Sequence, residues 1–359
     1  MIVCDFFLKY GSQQAQAFRR SGHDVAILLR SHSFEFGEVD AERTEILGQL
    51  RRDGIRLFVV PGRVRSLAAV PALAGIRRDI RRWSPQVVHV HENYDPRLVA
   101  LTRGYRTVFT VHDPVQHPGY TPLTRMEAWT FNRWFRRAER FVVHSEALAA
   151  ELPPSVRRRA AVIPHGVSPR PKPLSPPGEP SVLLFGRLVQ YKGVEVLAEA
   201  MRHVWSERPD AKLTVAGEGP AARLVPDDPR VTLRSGYVPE REVEHLLAAA
   251  ALVVLPYTQA SQSGVGVLAI ASGVPVVVSD VGALPELTHD SSYVVRAGDA
   301  RALAEAIVRH LDDDIATRRA VLQHAEANFS WGHAAKLTTQ LYRELLGGGR
   351  SKPHRQPLT

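Results

Sequence analysis

The sequence predicts an α/β fold made of two parallel sheets with helices on both faces. Three observations carry that reading. Short apolar runs alternate with helical stretches through the first 165 residues, a proline-rich segment then breaks the rhythm, and a second alternating series starts at Ser181. Strands that alternate with helices imply parallel pairing, because each crossover needs a helix to return the chain.

In the first half the expected strands are 1–7, 24–29, 56–60, 87–90, 107–110, 141–144 and 161–163. The expected helices are 13–21, 70–83, 124–138 and 146–151. The segment PRPKPLSPPGEP reads as a linker, since its prolines remove backbone donors and fix the chain outside helix and sheet. In the second half, 181–185, 212–216, 231–233, 252–255 and 274–279 read as strands. Stretches 193–205, 240–250, 264–272, 299–311 and 332–346 read as helices. The expected organisation is a first domain over 1–165, a linker over 166–180 and a second domain over 181–330. A closing helix over 331–346 crosses back to the first domain, and 347–359 is a disordered tail. Ligands of such sheets bind beyond the carboxyl ends of strands, so a cleft between the domains is the expected site.

Composition narrows the function class. The 359 residues are 44% hydrophobic and 23% charged, the balance of a soluble globular chain. No run of apolar residues is long enough to cross a bilayer, and the start lacks the pattern of a signal peptide. A single cysteine, Cys4, excludes an internal disulfide and suits a reducing, cytoplasmic setting. The formal charge of +9 gathers in arginines such as Arg77, Arg78, Arg81 and Arg82 on one expected helix and Arg136, Arg137 and Arg140 near another. Solvated helix faces, or peripheral attraction to an anionic membrane face or to an anionic substrate, account for them. Nucleic acid is not expected, because neither a zinc finger nor an aromatic-interleaved basic strand is present.

The sharpest motif is GRLVQYKG, residues 186–193, between a strand end and a helix start. Gly186 permits close backbone approach, and free N–H groups at a helix start favour an anion. Arg187 and Lys192 add a forked and a compact cation beside that point, the chemistry of a phosphate group. The plainer alternative is a turn with two surface charges. After another strand, Gly217, Glu218 and Gly219 form a tight turn, weak evidence alone. Ser261, Gln262, Ser263, Gly264 and Val265 open a further helix, where small hydroxyls suit a phosphate or sugar hydroxyl or serve simply as caps.

These stretches, with GYVPEREVEHLLAAAALVVLPY, SGVPVVVSDVGALPEL and FSWGHAAKLTTQLYREL, resemble the retaining glycosyltransferases of family four. The resemblance is strong over 181–346 and looser over 1–165, through strand order and SGHDVAILL. It implies the GT-B fold, two facing Rossmann-like domains around a cleft. It also implies transfer of a sugar from a nucleotide-diphosphate donor to a hydroxyl acceptor, in polysaccharide, glycolipid or other glycoconjugate synthesis. Arg187 and Lys192 match the family's cations on the donor diphosphate. The family's two glutamates, eight positions apart, fall on Ala260 and Leu268 counted back from Gly273, and the first falls on Ser261 counted forward from Gly264. Neither count meets a carboxylate, so this resembles a branch with Ser-Gln-Ser-Gly-Val in that place. Ala251 likewise stands where an aspartate is common.

The resemblance makes His112 the histidine that faces the donor sugar, with Asp113 beside it as an orienting group or a turn cap. Acceptor-side candidates are Gly11, Ser12 and Gln13 (or its neighbour Gln14) in an expected glycine loop, Asn93 and Tyr94 after a strand, and His144. His89 and His91 share one face of a strand, which without a third ligand is weak evidence for zinc. No metal or other cofactor is expected, because cations of the chain can neutralise the diphosphate. The alternatives are a secondary-metabolite glycosyltransferase, a nucleotide-sugar epimerase of similar fold, a phosphorylase using free phosphate, and an inactive nucleotide-sugar-binding scaffold.

Overall fold

The computed structural model describes residues 1–4, 7–31, 41–62, 70–112, 123–168 and 179–347. They form two compact units. The first comprises Met1–Val143, Glu151–Ile163 and the stretch from Ala334 onward; the second comprises His144–Ala150 and Pro164–His333. Asp113 and most of the proline-rich segment lie outside the described residues.

The first unit holds a seven-stranded parallel sheet. Its strands are β1 (Ile2–Val3), β2 (Ala26–Arg30), β3 (Arg56–Val60), β4 (Val87–His91), β5 (Arg106–Thr110), β6 (Arg140–Val143) and β7 (Ala160–Val162). The order is β3-β2-β1-β4-β5-β6-β7. Every residue of β4 is buried, as expected of a central strand covered on both faces. Its helices are α1 (Leu8–Arg20), α2 (Ala41–Arg52), α3 (Val70–Trp83), α4 (Pro96–Leu101), α5 (Arg125–Arg137) and α7 (Pro154–Arg157); α6 (Glu146–Glu151) straddles the boundary between the units. Sequence reading missed α2, α4 and α7. Asp95 caps α4 by accepting from the Arg97 N–H, with Pro96 as first helical residue.

Two expectations need correction. Strand β1 stops at Val3, and α1 already runs from Leu8. Gly11, Ser12 and Gln13 are therefore helical and form no strand-to-helix loop. Gly11 is a steric requirement, since a Cβ there would lie 2.6 Å from the Cys4 sulfur. Ser12 is buried and donates to the Lys9 carbonyl, while Gln13 is exposed.

The second unit repeats the plan with six parallel strands: β8 (Ser181–Phe185), β9 (Lys212–Gly217), β10 (Val231–Ser235), β11 (Leu252–Leu255), β12 (Val276–Ser279) and β13 (Val294–Val295). The order is β10-β9-β8-β11-β12-β13. Helices α8 (Val194–Glu207), α9 (Glu240–Ala249), α10 (Gly264–Ala271), α11 (Ala300–His310) and α12 (Ile315–Phe329) cover it. Strand alternation divides the core: Val182 and Leu184 pack with α8 and α11, whereas Leu183 and Phe185 pack with α10 and α12. Sequence reading missed α12, whose Val321, Ala325 and Phe329 recur every fourth residue on the buried side.

The last helix, α13 (Trp331–Gly347), starts in the second unit and groups with the first from Ala334 onward. There Tyr342 bonds His89, and Glu344 pairs with Arg140. Among the described residues no helix is long and apolar enough to cross a membrane.

Candidate functional site

Each sheet has its topological switch point between the first and fourth strands of its unit, where doubly wound folds bind ligands. In the second unit this point lies between β8 and β11. The turn after β8 carries Gly186, Arg187 and Lys192, and the turn after β11 carries Pro256, Tyr257 and Ser263. The two turns are pressed together. Gly193, with φ +69°, has the Pro256 carbonyl oxygen 1.9 Å from where a Cβ would stand. The Thr258 N–H donates to the Tyr191 carbonyl at 2.8 Å. Gly217, with φ +142° at the end of β9, supports the same turn from the other side: a Cβ there would lie 1.8 Å from the Gly186 oxygen.

Arg187 is exposed, and Lys192 is half-buried with its ammonium 3.7 Å from the centroid of the Tyr257 ring. Burial, with a smaller contribution from Arg187, pulls the Lys192 amine down to about 7. The Tyr257 hydroxyl meets the Ser263 hydroxyl at 3.2 Å, and Ser263 caps α10 by accepting from the Gly266 N–H. Burial pushes the Tyr257 phenol well up, so it stays neutral. An amine, a guanidinium and the open start of a helix thus meet at the switch point, an arrangement that suits an anion.

Ser261 is buried, with its carbonyl accepting from the Ala283 N–H, and Gly264 and Val265 form the first turn of α10. Glu218 is exposed, while its carbonyl accepts from the Leu188 N–H at 2.7 Å. Gln262 donates to the His144 carbonyl at 3.2 Å. The structure therefore groups His144 with the second unit, not with the first-half candidates beside which the sequence reading set it. Its ring lies edge-on to His165, 5.5 Å away.

In the first unit the switch point lies between β1 and β4, and the loop after β5 adjoins it. His112 stacks on Phe7 at 4.0 Å and meets Tyr10 edge-on. Its Nε2 lies 3.3 Å from His91 Nδ1, and its backbone N–H donates to Glu92. His91 Nε2 in turn meets the Gln14 amide oxygen at 2.8 Å. His89 stacks on His91 and bonds Thr110 and Tyr342. Asn93 is buried and holds the turn, accepting from the Asp95 N–H, whereas Tyr94 stacks near Phe131. Among the described residues no group of three or more His, Cys, Asp or Glu is placed to hold a metal.

Residues 11–170 match the family Glycosyltransferase Family 4, and residues 179–313 match Glycosyl transferases group 1. The chain is a family 4 glycosyltransferase. It is an enzyme that transfers a sugar from a nucleotide-diphosphate donor to an acceptor. This glycosyltransferase is 29% identical to the glycogen synthase of Mycobacterium tuberculosis, covering 95% of the present chain and 92% of the relative. A glycosyltransferase from Rickettsia africae superposes with a TM-score of 0.70 at 14% identity, covering 97% of this chain and 98% of that one. HepE of Anabaena, solved with UDP and glucose, superposes with a TM-score of 0.66 at 17% identity, covering 96% and 98%. At such identities the structural likeness shows the fold.

Sequence reasoning missed several residues of these sites in the glycosyltransferase. Tyr257 was one, because an aromatic residue after a strand reads as core. Tyr10 and Glu92 were others, because the residues they meet, His91 and His112, lie farther along the chain. Leu268, at the position of a family glutamate, packs against the apolar cluster under α10.

Proposed function

We propose that the turn after β8 holds the donor diphosphate, with Arg187 and Lys192 as its cations. The observation that carries this reading is the position of both cations at the switch point of the second sheet, with no carboxylate paired to Lys192 among the described residues. Charge that builds on the leaving diphosphate meets groups already in place, which stabilises the transition state. Gly186, Gly217 and Glu218 shape the subsite through backbone contacts. Ser261, Gln262, Ser263, Gly264 and Val265 present the start of α10 to the phosphates or the sugar. This is the variant branch, in which the α10 N-terminus takes over from the glutamates absent at Ala260 and Leu268. The relatives support a glucosyl donor carried on UDP.

His112 contacts the donor sugar in this reading. Tyr94 and Gln13 belong to the acceptor side, with Gly11, Ser12 and Asn93 shaping its walls, and Asp113 and His144 complete the set. Transfer proceeds with retention, a departing phosphate oxygen taking the acceptor's proton. The product is a polysaccharide, glycolipid or related glycoconjugate. Turnover of UDP-, GDP- and TDP-sugars by the wild type and by Arg187→Ala and Lys192→Ala tests the reading. Loss of turnover in folded variants supports it; unchanged turnover in both rejects it.

A peripheral contact with an anionic lipid surface is favoured by one face of α5. Arg125, Met126, Trp129, Arg133 and Arg136 are exposed there, with Trp129 at 56%. A Trp with flanking cations suits a lipid headgroup layer. Sedimentation with anionic vesicles that Trp129→Ala and Arg133→Glu leave unchanged would reject it.

A further inference from the structure

The loops that converge beside Lys192 do more than place a charge. Lys192 sits in an aromatic corner, 3.7 Å from the Tyr257 centroid and 5.3 Å from that of Tyr191, the two rings standing at 89° to each other. Tyr257 is 1% exposed, so its ring cannot yield to water. Its hydroxyl is anchored to Ser263, the cap of α10. The groups that face the ammonium are Tyr191 and Arg187 from the β8 turn and Tyr257 from the β11 turn. Helix α10 contributes no charge, since its sequence GVGVLAIA is wholly apolar. Among the described residues Arg187 is the one charge that acts on the amine, and it is repulsive.

Such a corner favours a cation through the ring faces, yet it withholds water and offers no counter-charge. The counter-charge must come with the ligand. We propose that Tyr257 is the positioning residue that seats Lys192 in the diphosphate subsite, and that donor binding is therefore coupled to uptake of one proton by Lys192. The inference rests on the diphosphate reading given above and adds its regulation by pH. The balance is simple: the donor's dianionic diphosphate enters, a solvent proton joins the Lys192 amine, and an ammonium–phosphate pair forms. Two further links transmit the arrangement, because Tyr257 couples the amine to the α10 cap and Gly193 locks its turn against Pro256.

The sign follows from linkage. The amine of the donor-free enzyme titrates at about 7. Below that pH it is already charged, and donor binding takes up little. Above it the amine is neutral, and binding must charge it. Uptake is then roughly 0.1 proton at pH 6 and roughly 0.75 at pH 7.5, and apparent donor affinity falls about tenfold from pH 6 to pH 8.

The test is calorimetric titration of UDP-glucose into the full chain at pH 6 and pH 7.5, in buffers of different ionisation enthalpy. Both phosphates of this probe are esterified, so neither titrates near neutrality. The wild type should show the uptake stated above. Lys192→Arg keeps a cation that cannot lose its proton, so it should bind with uptake near zero. Tyr257→Phe keeps the ring and should keep the uptake. Tyr257→Leu removes the ring, hydrates the amine and should lower both affinity and uptake. Wild-type binding without uptake at pH 7.5, or full uptake in Lys192→Arg, overturns the inference and leaves the diphosphate reading standing. Failure of UDP-, GDP- and TDP-glucose alike to bind at either pH removes both.

Discussion

Replacing Gly193 by alanine tests how far the two switch-point turns depend on each other. At φ +69° an L-residue costs about 1–2 kcal/mol relative to an ordinary conformation. The new Cβ would also stand 1.9 Å from the Pro256 oxygen, so that carbonyl must retreat by roughly 1.1 Å to reach the closest contact seen for a real Cβ. Such overpacking costs a further ~1–3 kcal/mol. The same carbonyl precedes Tyr257, so the shift displaces the ring beneath Lys192. Gly298 provides the control: its φ is +78°, and nothing lies within 4 Å of a Cβ there. Gly298→Ala should therefore lose only the conformational part, about 1 kcal/mol, while Gly193→Ala loses about 3 kcal/mol. Urea unfolding of both variants, read at the midpoint of the second unit, measures the difference. Nucleotide-sugar affinity should fall in Gly193→Ala alone. Equal midpoints for the two variants would refute the claim that steric locking holds these turns.

Three other predictions rest on single interactions. Asp95, with a fully buried side chain, pairs with Arg97 at 2.7 Å, so Asp95→Ala strands a buried charge and should cost about 3–5 kcal/mol in urea unfolding. Replacing both partners, in Asp95→Ala with Arg97→Leu, should recover part of that loss. Burial and the neighbouring His144 depress His165 to about 3, below the ordinary histidine value. The unfolded chain thus binds the proton first: stability is full above pH 6.5 and declines as pH falls toward 3. Thermal unfolding across that range should show the decline, and His165→Asn should flatten it. Arg318 is buried and donates to the carbonyls of Ala250 and Ala251 at the end of α9. Arg318→Met should leave those acceptors unpaired and cost about 1–3 kcal/mol, measurable by the same urea assay.

The fold was legible because its strands are buried on both faces and read as apolar runs, as β4 and β12 do. The ends of elements were less so. The segment 1–7 reads as one strand, yet β1 keeps two residues and α1 begins at Leu8, because Cys4 and Gly11 bring helix and strand into close contact. Helices α2 and α12 escaped notice because each buries few large apolar residues. Within the candidate site, Arg187 and Lys192 could be found from motif chemistry, since both lie in one continuous turn. Tyr257, 65 positions beyond Lys192 in the numbering, could not. Its role depends on the pairing of β8 with β11, a long-range fact absent from local pattern. The sequence did name His112, but not its surroundings: His91, itself bonded to Gln14, and Phe7 come from other parts of the chain.

The central claim is that the cations after β8 hold the donor diphosphate, and Arg187 tests it most directly. The side chain is exposed, so its removal should leave the fold intact. Calorimetric titration of UDP-glucose into the wild type and Arg187→Ala, at pH 6 where Lys192 is charged, isolates its contribution. Loss of a charge-assisted contact worth about 1.5–3 kcal/mol predicts a Kd raised about 10- to 150-fold, with the unfolding midpoint unchanged. An unchanged Kd in the folded variant would contradict the account.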